Sequence, residues 1–240
     1  MSYIKERPVA VGHLGVPYID FLRMAAAVLK PKSYFEIGTE TGATMTEFAC
    51  DTVCVDPKFT LQVDPIGAKR RAMLFQMTSD EFFAENDLRD IFPDGVDVAL
   101  LDGLHRFEYL LRDFMNTERA CRKDSVLFLH DCMPTDPAIA ERYAPVNQIW
   151  TGDVWKMLFI LEQYRPELRV FAFDCSPTGL IVCTNLNPHT NALHDSHYKI
   201  LDEYGDKKLD KETMTALWQL YPVVDTKALS KRPHDLNMLL

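Results

Sequence analysis

Ser33-Tyr34-Phe35-Glu36-Ile37-Gly38-Thr39-Glu40-Thr41-Gly42 is the stretch on which the fold of this chain turns. Its first half is apolar and aromatic, the composition of a buried strand. It then breaks at a glycine, and Ala43 to Ala49 predicts a helix behind the turn. A turn glycine lets the backbone approach a ligand closely, and a helix N-terminus offers free N–H groups. Strand, turn and helix in this order read as a cofactor-binding element. A tight strand-to-helix turn with no ligand has the same sequence, so the rest of the chain must decide.

Outward from that stretch, strands and helices alternate. Upstream, Tyr18 to Leu29 places Phe21, Leu22, Ala25, Ala26 and Leu29 at helical spacing, and Pro31 stops the helix. Residues 1–16 carry Pro8, Gly12 and Gly15 and read as an irregular arm. Downstream, Thr52-Val53-Cys54-Val55-Asp56-Pro57 is a β-branched run closed by a carboxylate and a proline. Asp56 then stands at the carboxyl end of a second strand, where an acid accepts hydrogen bonds from the ribose hydroxyls of an adenosine. Its competing role is an Asp-Pro turn residue. Ala72 to Met77 predicts a third strand, and Thr78-Ser79 a helix start with Ser79 as N-cap.

Val96 to Leu101 is the near-continuous apolar run of a buried parallel strand. It ends in Asp102-Gly103-Leu104-His105, and Phe107, Leu110, Leu111 and Phe114 follow at helical spacing. Ser125 to Leu129 is a fifth strand that ends in His130-Asp131. Ligand sites of open parallel sheets gather at the carboxyl ends of strands. One core histidine is usually structural. Two strand ends that each deliver an Asp/His pair are hard to explain by packing.

Residues 133–150, with Pro134, Pro137 and Pro145, read as a loop. Trp150, Asp153, Trp155 and Lys156 either line an acceptor pocket or cap and fill a helix. Leu168–Asp174 and Gly179–Thr184 flank a short turn and predict a β-hairpin. Beyond it, Ala192–Tyr204 and Lys211–Tyr221 read as helices before a polar tail. The division expected is a domain over residues 1–184 and a helical extension over 185–240 packed on it.

The totals exclude several classes. A chain of 240 residues with 47% hydrophobic and 25% charged residues has the make-up of an ordinary globular α/β domain. No run approaches the ~18 apolar residues of a membrane span. The first eight residues lack a signal-peptide core, and six scattered cysteines have no zinc spacing, so reduced thiols in the cytoplasm are expected. A net charge of −9 argues against a nucleic-acid partner. Lys69-Arg70-Arg71, the one compact basic run, is expected to be a solvated helix face.

The run Glu36-Ile37-Gly38-Thr39-Glu40-Thr41-Gly42 resembles motif I of the class I S-adenosylmethionine-dependent methyltransferases. Its glycine spacing is not the Gly-x-Gly-x-x-Gly of a dinucleotide fold. The terminal hairpin also resembles that family's sheet. The resemblance covers about residues 17–184 and is greatest to the branch with Asp-Gly-x-His after strand four and His-Asp after strand five, enzymes that O-methylate sugars and other small metabolites. It implies a doubly wound, Rossmann-like α/β fold with a seven-stranded sheet, a terminal antiparallel hairpin and helices on both faces. It implies S-adenosylmethionine as cofactor, held by Glu36, Gly38, Thr39, Gly42, Asp56, Thr78 or Ser79, and Asp102.

Metal-dependent members hold magnesium with a strand-four Asp and an Asp-Asp after strand five. Here Asp102 and Asp131 match, so Mg2+ or Mn2+ is a candidate second cofactor, but Cys132 replaces one ligand; Asp136 or Asp153 are candidate substitutes. The expected activity is methylation of a small-molecule hydroxyl, with His105 or His130 as general base and Asp102 and Asp131 orienting it or binding the metal. Two rivals are an NAD-dependent oxidoreductase and a non-catalytic member of the fold serving as a binding subunit. Self-association into a homo-oligomer through the C-terminal helices is also open.

Overall fold

A computed structural model describes residues 3–5, 12–143 and 149–240. The expected Pro8 and Pro145 lie outside the described residues. Among the described residues nine strands form one sheet: β1 (Ile4–Lys5), β2 (Ser33–Ile37), β3 (Asp51–Val55), β4 (Ala72–Phe75), β5 (Val96–Leu101), β6 (Cys121–His130), β7 (Arg169–Phe173), β8 (Leu180–Thr184) and β9 (Val223–Val224). Their order across the sheet is β1-β9-β7-β8-β6-β5-β2-β3-β4. From β4 to β6 all neighbours are parallel, while β8 is antiparallel to both β6 and β7. The seven expected strands and the hairpin are therefore present. The two additional strands, β1 and β9, are two-residue pairings at the β7 edge, too short to carry an alternating pattern.

Ten helices accompany the sheet among the described residues: α1 (Tyr18–Leu29), α2 (Ser79–Glu85), α3 (Leu88–Ile91), α4 (Phe107–Glu118), α5 (Lys156–Tyr164), α6 (Ala192–Asp195), α7 (His197–Tyr204), α8 (Lys211–Leu220), α9 (Thr226–Ser230) and α10 (Leu236–Leu239). They cover both faces. Because strand side chains alternate, Phe35, Val53, Ala99 and Leu127 point to one face and pack with Phe82 of α2, Phe114 of α4 and Leu161 of α5. Tyr34, Cys54, Val98 and Phe128 point to the other and pack with Phe21 and Leu22 of α1, Leu229 of α9 and Leu236 of α10. Each fully buried side chain of this size contributes about 1.5–3 kcal/mol. No helix of the described residues is long and apolar enough to cross a membrane.

Several local expectations change. Ala43–Ala49 is not an α-helix but holds a single 3₁₀ turn, Met45–Glu47. Residues 38–50 are the whole parallel crossover between β2 and β3, thirteen residues, close to the shortest length such a connection takes. Within it, the Thr44 hydroxyl binds Glu36 and the Thr46 hydroxyl binds the Ala43 carbonyl, local bonds that compete with helical ones. Lys69-Arg70-Arg71 lies in a loop, with Lys69 buried and Arg70 and Arg71 paired to Asp51.

The helix expected over 192–204 breaks at Ser196. The tail is not a solvated end: β9 extends the sheet, and Leu229, Leu236 and Leu239 are buried against α1. Its buried leucines are spaced among charged residues, which hid their helical period.

Candidate active site

The carboxyl ends of β2, β3, β5 and β6 and the turn after β4 open into one cleft of about 540 Å³. Ile37 and Gly38, Val55 and Asp56, Thr78 and Ser79, Asp102 to His105, Tyr109, and His130 and Asp131 form its walls. A larger hollow of about 870 Å³ lies at the opposite, amino ends of the strands, between Lys32, Asp51, Arg70, Asp97 and Arg122. Its charges are largely matched to one another, as in Arg70–Asp51 and Arg122–Asp97. The cleft at the carboxyl ends is the candidate site.

Gly38 has φ +88°, and a Cβ there would lie 1.9 Å from the carbonyl oxygen of Asp102. Only glycine lets β2 turn this close to β5. The next residues hold the rim. Glu40, at φ +44°, donates its N–H to Asp56 Oδ2 at 2.8 Å, and Lys58 N–H reaches Oδ1 at 2.7 Å. Asp56 is thus fixed by backbone donors while still lining the cleft.

Glu36, Thr39 and Gly42 do not reach the cleft wall. Glu36 is fully buried beneath the loop and accepts hydrogen bonds from Tyr34 Oη at 2.7 Å and Thr44 Oγ1 at 2.5 Å. Burial pushes its carboxyl up to about 7 against the pull of these donors. Gly42, at φ +83°, is packed against Val63 and Leu61 rather than presented to a ligand. Thr78, not Ser79, is the N-cap of α2, in a reciprocal capping box with Glu81. Ser79 is the residue left with its side chain toward the cleft and Asp113.

The deep end holds the two Asp/His pairs together. His105 Nε2 is 3.0 Å from Asp131 Oδ2 and 3.4 Å from Asp102 Oδ1. His130 Nδ1 lies 3.3 Å from both carboxylates, and its Nε2 meets Thr178 Oγ1 at 3.4 Å. Asp131 adopts φ +60°, an unusual conformation for a non-glycine residue, which turns its carboxylate back toward Asp102. Burial alone would lower both imidazoles. The Asp102 and Asp131 carboxylates outweigh it, holding His105 up at about 9 and His130 at about 10. Burial likewise opposes ionisation of Asp102, yet the two histidines hold it well below the usual carboxylate range. In this state neither imidazole is a free base at neutral pH; the four groups act as one charge-balanced unit.

The substitutes expected for the missing metal ligand are engaged elsewhere. Asp136 caps the short turn Pro137–Ala140. Asp153 accepts from the Phe107 N–H at 2.9 Å and pairs with Arg142 and Lys156. It therefore caps α4 across the loop, not the helix that follows it. Trp155 is a core residue, and Asp153 and Lys156 form a buried pair, so of that group Trp150 alone meets a side chain of the Asp/His cluster, while Asp153 meets the His105 carbonyl through its backbone N–H. Its carbonyl is 2.8 Å from His105 Nδ1, with the two rings 5.2 Å apart.

Other neighbours of the site carry little signal in the sequence. Tyr18, at the start of α1, packs its ring on His130 with centroids 4.2 Å apart and the planes tilted by 32°. Gly152 at φ +61° is required because a Cβ would lie 1.7 Å from the His105 carbonyl oxygen. Asp113 of α4 is 3% exposed, with Oδ1 unpartnered, and lies behind Gly103. Its position on the apolar side of a helix was the one available clue.

Residues 22–132, from α1 to the end of the Asp131 turn, match the family model described as a methyltransferase domain. No curated protein sequence matches the chain. Among solved structures, the O-methyltransferase TomG from Streptomyces achromogenes, in complex with SAM, is similar at TM-score 0.55 and 12% identity, over 71% of this chain and 80% of that one. Cofactor-bound Rv0187 from MTB is similar at TM-score 0.54 and 14% identity, over 76% and 85%. The O-methyltransferase from Bacillus cereus, in complex with SAH, follows at TM-score 0.51 and 11% identity, over 74% and 84%. At these identities the likeness is one of fold.

Proposed function

We propose that this chain is a class I methyltransferase that transfers the methyl group of S-adenosylmethionine to a hydroxyl of a small-molecule acceptor, a reading supported by the methyltransferase-domain match over residues 22–132 and by the fold. The observation that carries the reading is the cleft itself. A glycine turn, a ribose-type acid and two Asp/His pairs come from four strand ends to one cavity. Residues 1–184 supply all of these, and we take 185–240 as an extension packed on that domain.

In this reading Gly38 admits the amino-acid end of the cofactor, Asp56 binds the ribose hydroxyls, and Thr78 and Ser79 approach the adenine. Glu36, Thr39 and Gly42 support the loop from beneath. Bound there, S-adenosylmethionine would supply its sulfonium methyl group to the acceptor oxygen, with S-adenosylhomocysteine as the leaving group. Such a displacement needs chiefly in-line placement, which a preformed cleft supplies. The acceptor hydroxyl must also lose its proton; His105 and His130 stand nearest to take it, and one of them must first release the proton that the carboxylates hold on it.

The donor set suits a divalent cation. Asp102, His105 and Asp131 each offer a ligand atom, all within 4.8 Å of one another. Asp102 and Asp131 would hold Mg2+ or Mn2+, which would polarise the acceptor oxygen.

Calorimetric titration with S-adenosylmethionine, S-adenosylhomocysteine and NAD tests the cofactor. Micromolar binding of the adenosyl ligands without NAD is expected. Binding of NAD alone would point to an oxidoreductase, and binding of none to a non-catalytic member of the fold. Replacing both His105 and His130 with Gln and finding turnover intact would remove the proton role.

A further inference from the structure

We propose that the methyl acceptor carries a carboxylate, and that Arg106, beside the cleft, is the residue that binds it. The proposal deepens the methyl-transfer reading of the same cleft and rests on it for its catalytic meaning.

Arg106 follows His105 directly and is the N-cap of α4, with its backbone N–H on the Leu104 carbonyl at 2.6 Å. Leu104 and His105 both line the cleft. The Arg106 side chain is partly buried, and its guanidinium lies over the ring of Tyr143, 5.3 Å from the centroid. Among the described residues it meets no carboxylate and no carbonyl, and its Nε is buried without a partner. Every other described arginine that is not fully exposed is held by an acid: Arg112 by Asp80, Arg122 by Asp97, Arg142 by Glu108 and Asp153, and Arg165 by Glu118. A guanidinium partly withdrawn from water, with a buried N–H left unmet, calls for an anion that arrives with a ligand.

The surface around Arg106 suits the body of a small organic molecule. Leu104, Tyr143 and Ile149 are large apolar side chains left exposed, and Trp150 stands beside them. The Trp150 carbonyl is 2.8 Å from His105 Nδ1, and its indole Nε1 donates to the Glu141 carbonyl at 2.6 Å. These two bonds tie the segment that carries Tyr143 to the Asp/His cluster. Grouped exposed apolar side chains of this kind mark binding surfaces.

Charge then sets the class. Arg106 offers a planar fork that fits a carboxylate through two parallel N–H bonds and packs on an aromatic ring. Arg142 and Lys156, the other cations of this loop, are already paired with Glu108 and Asp153. The cleft wall carries Asp56, Asp102 and Asp131. A single carboxylate balances Arg106, whereas a phosphate brings a second negative charge toward those acids.

The probes are para-hydroxybenzoate, para-hydroxybenzyl alcohol and para-hydroxyphenyl phosphate, titrated calorimetrically into the full chain with and without saturating S-adenosylhomocysteine. We expect the wild type to bind the benzoate at least about tenfold more tightly than either other probe. Arg106→Gln should abolish that preference, and Arg106→Lys should keep part of it. Equal binding of benzoate and alcohol, no binding of the benzoate, tighter binding of the phosphate, or a preference that survives Arg106→Gln overturns the proposal. The wild-type comparison decides even where a variant does not fold. S-adenosylhomocysteine binding with no preference for the benzoate removes the acceptor assignment alone. Benzoate binding that is lost in Arg106→Gln, with no S-adenosylhomocysteine binding, removes the cofactor reading alone.

Discussion

The α-carbon of Gly152 is packed against the backbone carbonyl of His105, so closely that a Cβ at position 152 would sit 1.7 Å from that oxygen. A residue of the loop before α5 thus fixes where the strand-five histidine points. Gly152→Ala should displace His105 and also force a side chain into φ +61°, at a cost of about 1–3 kcal/mol for the backbone alone. Thermal unfolding should show that loss. Turnover should fall much further than S-adenosylhomocysteine affinity, because Asp56 and Gly38 are untouched. Equal losses of both would argue that position 152 acts only through stability.

Asp56→Asn keeps the shape of the ribose-side acid but removes its charge. Hydrogen bonds to a charged group are worth about 1.5–3 kcal/mol, so cofactor affinity should fall roughly tenfold to a hundredfold. Isothermal titration with S-adenosylhomocysteine checks this. Unchanged affinity would return Asp56 to the role its two backbone bonds already give it, a turn residue bound to Glu40 and Lys58.

Asp113 gives a pH prediction. Burial raises its carboxyl to about 7, with a partial opposing pull from Ser79. A folded pKa above the unfolded one means that the folded state holds the proton where the unfolded state has released it. This contribution to stability is complete below about pH 4 and is lost as pH rises toward 7, by up to about 1.4 kcal/mol per pH unit. Asp113→Asn should therefore lose less stability than the wild type between pH 4 and 7, as read from urea unfolding across that range. Parallel curves for the two proteins would show that Asp113 titrates normally.

Arg165 and Glu118 test the scaffold apart from the cleft. The guanidinium is fully buried and bidentate to a carboxylate that is 4% exposed, at 2.5 and 2.8 Å. Arg165→Leu strands the Glu118 charge and should cost about 3–5 kcal/mol in denaturant unfolding. Cofactor affinity in the surviving folded fraction should be unchanged. Arg165→Leu paired with Glu118→Leu should recover much of the loss.

What the sequence determined by itself is the framework. Apolar runs ending in glycine or acid marked β2, β3 and β5, and residues 33–42, 56, 102–105 and 130–131 already named the strand ends where a ligand belongs. These signals are local: a buried parallel strand must be apolar along its whole length, and a polar residue at its end has one place to be. Tertiary structure decided what each polar residue does there. Whether Asp153 caps the helix after it or the one before the loop depends on α4 lying across from it. That Gly42 is packed by Val63, that Glu36 sits below the cofactor loop, and that Tyr18 packs on His130 are contacts between distant segments, and no period or spacing encodes them. The same holds for the tail, whose leucines become core only because α1 leaves a face to be covered. The cluster of two aspartates and two histidines shows both sides. Composition at two strand ends announced it, and the left-handed turn at Asp131, with the Trp150 carbonyl behind His105, made it one site.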